Sequence, residues 1–253
     1  MNEKKPTLVK GAKAANWAKR LLIAGALMLI AGLVLPKAGV SPMISMMLIT
    51  LGSLTLIIAG GFGATALLRS GGGLTGQPVN SARLAIVLGL GALLIAGSFM
   101  AGTMSGGAPI HDLSTDTVDP PQFVAVASLR SASDNPVEYS GAETAALQKE
   151  AYPDLEPIVL LDPRTFVFET ALAVAEDMGW EIVASDLAEG RIEATATTPF
   201  VGFKDDVVIR VRARSAQTVV DVRSKSRVGR GDMGVNANRI REFSEKLIAA
   251  ATP

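Results

Sequence analysis

"RIEATAT" (residues 191–197), "DDVVIRVRARS" (205–215) and "TVVDVRSKSR" (218–227) decide the fold of the C-terminal half. In each, apolar residues recur at every second position: Ile192, Ala194 and Ala196; Val207, Ile209, Val211 and Ala213; Val220 and Val222. A period of two sends alternate side chains to opposite faces of a strand. "WEIVAS" (180–185) adds Trp180, Ile182 and Ala184 in the same rhythm. Four strands at short spacing, each with one apolar face, predict a four-stranded antiparallel sheet.

Helical periodicity flanks the sheet. Upstream, Val167, Ala171, Val174 and Met178 repeat at 3–4 residue spacing, with Phe168, Leu172 and Ala175 beside them. Asp162 is placed to cap this helix, Pro163 fits its first turn and Gly179 stops it. A shorter helix is expected over Ala142–Ala151, between Pro136 and Pro153. Downstream, Asn236–Ala250 carries Ile240, Phe243 and Leu247 on one face. Helix, four strands, helix, each with one apolar face, predicts a two-layer α+β domain. A Gly-, Pro-, Ser- and Asp-rich leader, "SGGAPIHDLSTDTVDPPQF" (105–123), precedes it.

The N-terminal part is of another kind. Three uncharged apolar blocks lie at 21–35, 42–68 and 84–102. A bilayer core of ~30 Å needs ~20 helical residues, so transmembrane helices are expected over about 20–40, 43–68 and 83–102. The domains are accordingly 1–103, in the membrane, and 104–253, outside it. The first block, preceded by Lys19 and Arg20, also fits a signal peptide, although no small-x-small cleavage site stands out before Ser41. Small residues at four-residue spacing (Ala59 and Gly63, Gly60 and Ala64, Ala92 and Ala96) suit close helix packing. No ionisable residue lies within an apolar block, so the helices read as an anchor and not as a transport path.

Charge sets the orientation. Six Lys/Arg (Lys4, Lys5, Lys10, Lys13, Lys19 and Arg20) precede the first block, Lys37 alone lies in the first loop, and Arg69 and Arg83 lie in the second. Cations stay on the cytoplasmic side. The expectation is a multi-pass protein of the bacterial inner membrane, with a cytoplasmic N-terminus and a periplasmic C-terminal domain. Residues 1–109 carry nine Lys/Arg and one acid; residues 110–253 carry 15 Lys/Arg and 23 Asp/Glu. The formal net charge of zero thus conceals +8 and −8. An acidic domain outside the cytoplasm argues against nucleic acid as a partner. The chain has no cysteine, so neither disulfides nor thiolate metal sites arise.

Several strings together resemble the domain-of-unknown-function 1499 family: "IHDLSTDTVDPPQF" (110–123), "YPD" (152–154), "MGWEIVASD…GRIEATATT…FKDDVVIRV" (178–211) and "VDVRSKSRVGRGDMGVNANRI" (220–240). The resemblance covers about residues 110–250 and leaves the three apolar helices outside. It implies a bacterial, often membrane-attached or exported domain, and no known activity.

The chemistry-bearing candidates are few. His111 is the only histidine, so a metal phosphohydrolase set is missing and a triad would have to use a leader residue. Asp112, Ser114, Asp116 and Asp119 alternate oxygen ligands, but the Gly and Glu of a calcium loop are absent at positions six and twelve, held by Thr117 and Phe123. Asp205 and Asp206 are adjacent on a strand and point to opposite faces. No catalytic residue, metal or cofactor is assigned.

The stretch "VDVRSKSRVGRGDMGVN" (220–236) offers two readings. Arg223, Lys225 and Arg227 share a face with Arg210, Arg212 and Arg214 on the neighbouring strand. The favoured one docks the acidic leader (His111, Asp112, Asp116, Asp119) over these cations through exposed ion pairs of ~0–1 kcal/mol each. The other is an anion site built from Arg210, Arg223, Ser224, Ser226, Arg227, Arg230, Asn236 and Arg239 at a helix N-terminus. Functionally, the expectation is a membrane-anchored cell-envelope protein in contact with membrane lipids. Its outer domain binds a protein partner or an anionic envelope component. The alternative is an envelope hydrolase or transferase that uses Asp and Arg residues.

Overall fold

A computed structural model describes residues 10–105 and 108–251. Lys4 and Lys5 of the basic N-terminal run and Gly106–Gly107 of the leader lie outside the described residues. The chain divides into two compact units, a helical one up to Met104 and an α+β one over Ser105–Pro199 and Phe203–Pro253.

The helical unit holds α1 (Ala12–Val34, prolonged by a 3-10 turn Leu35–Ala38), α2 (Pro42–Ser70) and α3 (Gln77–Ser105). All three are long and apolar enough to cross a membrane. They approach one another where side chains are smallest. A methyl group on Gly63 would lie 2.5 Å from the carbonyl oxygen of Ala82, and one on Gly89 2.7 Å from that of Leu56. Ala59 and Ala92 are buried with Ala18, Ala85, Leu22 and Leu56. Gly25 and Gly52, which the four-residue spacings did not flag, meet in the same way between α1 and α2. Such close backbone contact is how apolar helices gain packing where lipid removes any hydrophobic incentive.

The second unit is built on an antiparallel sheet of six strands, where the alternation predicted four. Strands β3 (Glu181–Asp186), β4 (Arg191–Thr197), β5 (Lys204–Arg214) and β6 (Gln217–Ser226) form a meander. Two three-residue strands, β1 (Asp112–Ser114) and β2 (Ile158–Leu160), pair end to end along the far side of β6. Neither was legible: "DLS" is too polar and "IVL" too short to show a period. Strand β3 departs from plain alternation through a bulge between Ile182 and Ala184.

Three helices complete the unit: α4 (Gly141–Ala151), α5 (Arg164–Asp177) and α6 (Val235–Ala251). Helix α5 begins one residue later than its capping signals suggest: Pro163, in extended conformation, is the residue before the helix, and Asp162 offers only its carbonyl, to Thr218 Oγ1. Gly179, at φ 73°, ends it. The core lies between α5, α6 and one sheet face. Val207, Ile209, Val211, Val220 and Val222 meet Val167, Phe168, Ala171, Ile240, Phe243 and Leu247 there, and Trp180 stacks on Phe243 at 5.6 Å. Gly190 closes the β3–β4 turn at φ 68°. A Cβ there would strike the Val211 carbonyl and the Arg164 guanidinium, which braces this turn through the carbonyls of Leu187 and Ala188.

Candidate functional site

The other face of the sheet holds most of the chemistry. Strand alternation brings Glu193 and Thr195 (β4), Asp206, Arg210 and Arg212 (β5), and Asp221, Arg223 and Lys225 (β6) onto it. Instead of facing water, this polar face lies under the segment from β1 to α4: Asp112, Glu193, Asp206, Asp221 and Arg223 are all 0% exposed. Buried charges must be paired, and each of these is.

Asp112 and Arg223 form a two-pronged pair, Nε to Oδ1 at 2.8 Å and a terminal nitrogen to Oδ2 at 3.0 Å. The guanidinium also donates to the carbonyls of Pro121 and Val137 and lies over the rings of Phe123 and Tyr139, 4.7 and 5.3 Å from their centroids. Lys225 Nζ stands 3.0 Å from Asp112 Oδ2 and donates to the Glu138 carbonyl. Burial raises the Asp112 carboxyl, but Arg223 and Lys225 outweigh it and hold it below the ordinary range. Burial lowers the Lys225 ammonium in spite of Asp112. Burial and the neighbouring Asp112 charge push the Tyr139 phenol up to about 12.

A second knot centres on Asp206. It accepts from Arg227, from Arg130 Nε at 2.8 Å and from Thr195 Oγ1 at 2.9 Å. Asn135 ties the same place to the end of β6 and the loop after it, through the carbonyls of Ser226 and Gly229. Glu193 accepts backbone N–H groups from Val124, Ala125 and Val126, each at 3.0 Å, and so caps the 3-10 turn Val126–Leu129 from beneath. Towards the rim, Asp221 receives Arg210 and Arg212, and both arginines also reach Asp116 and Asp119.

The helix face holds a separate cluster. Ser224 Oγ donates to Asn236 Oδ1, Arg239 donates to both, and Arg239 also pairs with Asp205 at 2.7 Å. Asn236 Nδ2 reaches the His111 carbonyl and Ser226 Oγ. Asp232 caps α6 through the backbone N–H of Gly234 and Asn236, and burial raises its carboxyl.

The eight residues considered for an anion site are therefore divided. Arg210, Arg223 and Arg227 lie on one face; Ser224, Ser226, Asn236 and Arg239 lie on the other; Arg230 is exposed in the loop after β6. Adjacent strand residues cannot converge without a bulge. Of the leader residues, Asp112 meets Arg223 and Lys225, and Asp116 and Asp119 meet Arg210. His111 binds through its backbone to Ser226, while its ring Nδ1 lies 3.3 Å from the Arg230 carbonyl. Asp205 and Asp206 point apart, to Arg239 and to Arg227 with Arg130. Among the described residues, no three His, Asp or Glu groups converge where a metal ion could sit. A carboxylate gripped by two cations is a poor proton acceptor, so the buried acids suit structure better than acid–base work.

Sequence reasoning missed Arg130, Asn135 and Gln148. Arg130 had a signal, as the only cation between residues 110 and 148. Gln148 had none. Its buried amide accepts from Ser114 N at 3.0 Å and donates to Ser114 O at 2.6 Å, standing where a neighbouring strand would.

A model of the family described as "Protein of unknown function (DUF1499)" matches residues 112–247, more than half of the chain. The chain belongs to the DUF1499 family. The match begins at β1 and ends within α6, so the DUF1499 region includes the covering segment as well as the meander. No curated protein matches the sequence.

The paired acids of this DUF1499 domain predict its response to pH. Asp112 and Asp116 have folded pKa values below their unfolded ones. The stability they contribute is complete above about pH 4 and is lost as pH falls through the folded values. Asp232, raised by burial, acts with the opposite sign. Urea midpoints of the full chain should hold near neutrality and fall steadily below pH 4, with a shallower fall in Asp112→Asn. Equal midpoints at pH 7 and pH 3 would contradict the assignment.

Proposed function

We propose that this is a membrane-anchored cell-envelope protein whose extracytoplasmic domain binds a protein partner with a cationic surface. Helices α1–α3 would form the anchor, roughly residues 1–103, in the bacterial inner membrane. The run of cations before the first apolar block supports a cytoplasmic N-terminus, and three crossings would then leave residues 104–253 in the periplasm.

One observation carries the choice of partner. Most cations of β5, β6 and α6 are already paired with acids of the domain, and among its described residues only Lys149, Lys204, Arg214 and Arg230 are exposed. Against these four stand fourteen exposed carboxylates, Glu143, Glu169 and Glu242 among them. Such a surface repels lipid phosphate and anionic envelope polymers and attracts basic protein surfaces. It therefore favours the protein partner over the anionic component.

The test places a photoreactive amino acid at Glu143, Glu169 and Glu242 of the full chain in living cells. A discrete protein adduct that disappears when neighbouring acids are reversed to Lys is the expected result. Adducts with lipid alone, or none at any position, would overturn the proposal. A periplasm-only reporter fused after Pro253 should be active; activity from a cytoplasm-only reporter would reverse the topology.

A further inference from the structure

The sheet of the DUF1499 domain has three stretches of outer edge, and two of them are blocked. At β1, the Gln148 amide occupies the outward N–H and C=O of Ser114. At β3, the bulge between Ile182 and Ala184 and the exposed Glu181 and Asp186 disturb any approaching strand. The edge of β2 has neither device. Ser226 N donates to the His111 carbonyl and Thr115 N to the Val222 carbonyl, so the even-numbered residues of β6 direct their backbone towards β1 and β2. By the register of Ile158 with Val220 and Leu160 with Thr218, those pairs exchange hydrogen bonds. The N–H and C=O of Val159 then point away from the sheet.

Both faces at this edge are prepared for side chains. On one, Val159 and Leu161 are 51% and 80% exposed at alternate positions. On the other, a groove of about 320 Å³ runs between β2 and α6, with Leu155, Ile158 and Ile240 in its floor. Its rim carries Glu156 and Glu245, both exposed and without an ion pair among the described residues, while Asp154 is already held by Arg241.

We propose that the open edge of β2 accepts an extended segment of the partner protein as an added strand, with an aliphatic side chain in the groove and Lys or Arg at its flanks. This rests on the protein-partner reading above. Backbone pairing would supply affinity, and the groove with its acidic rim would supply selectivity. Charge also decides against a second copy of this chain, because β2-to-β2 pairing would bring Glu156 and Glu245 towards their own counterparts.

The test is selection from a phage-displayed library of random nine-residue peptides on the full chain in nanodiscs. Enriched peptides should alternate aliphatic residues and carry cationic flanks. Val159→Pro removes an N–H that β6 does not use, so the melting transition should persist while binding of the enriched peptides weakens at least tenfold. Should Val159→Pro itself unfold, the double variant Glu156→Lys/Glu245→Lys leaves the backbone intact and is expected to weaken binding at least fivefold. No enrichment, enrichment without cationic flanks, or indifference to both variants would overturn the proposal. Photoadducts that survive Val159→Pro would sink this edge while sparing the partner reading; loss of every adduct in the parent chain would sink both.

Discussion

Arg223→Met should cost the C-terminal domain about 3–5 kcal/mol, the range for stripping one partner from a buried ion pair. Methionine nearly matches the arginine stem in volume, so the loss is electrostatic more than steric. Asp112 would keep its charge at 0% exposure with Lys225 as its only cation, and the carbonyls of Pro121 and Val137 would lose their donor. Denaturant unfolding of the full chain, followed by the fluorescence of Trp180 in a Trp17→Phe background, measures the effect. The companion variant Asp112→Leu/Arg223→Met/Lys225→Met removes the three charges together and should regain most of the loss, because the penalty arises from an unpaired charge and not from the absence of the pair. A single variant within about 0.5 kcal/mol of the parent would place this pair with ordinary surface ion pairs.

Asp206→Ala should be as damaging, through the opposite imbalance. Its carboxylate is shared by Arg130 and Arg227, and Thr195 donates to it as well. Without it, two guanidiniums would face each other in a space closed to water. The expected cost is again about 3–5 kcal/mol. The consequence should be local first: Arg130 also holds the carbonyl of Asn135, and Arg227 that of Leu129, so the covering segment loses its fastening to β5 and β6. Hydrogen exchange should show residues 126–137 opening well before the core of α5 and α6. Uniform protection, equal to that of the parent, would show that the segment is held elsewhere. Asp206→Asn keeps an acceptor and should fall between the two.

Both predictions depend on burial, and burial is what the sequence did not disclose. The meander β3–β6, helix α5 and helix α6 were legible because each carries a period, of two or of about 3.6, over six residues or more. Strands β1 and β2 were not, because three residues show no period. Alternation also assigns Arg, Asp and Glu to a face without saying what covers that face. The contact of Arg223 with the leader accordingly reads as an exposed pair worth little, whereas the structure seals it, together with the knot at Asp206, under residues from β1 to α4. Arg130 and Asn135, which do much of the sealing, sit in a stretch with no periodicity, and Gln148 sits in a short helix marked by its flanking prolines and not by an apolar face. The split of Ser224 and Asn236 from Arg223 and Arg227 follows from the same alternation that located the strands, once applied to neighbouring residues.

The pairing of β1 with the last strand also governs how the chain assembles during synthesis. Asp112 and Arg223 are separated by 111 residues. At ribosomal rates of roughly 5–20 residues per second, the first waits on the order of 5–20 s for the second. For that interval the acidic segment has no sheet to settle on, and the apolar alternation of β3–β5 lacks both its edge and α6. Completion of the C-terminal helix is thus the event that lets the whole domain close, which makes the nascent chain a client for whatever holds unfinished polypeptide at the membrane.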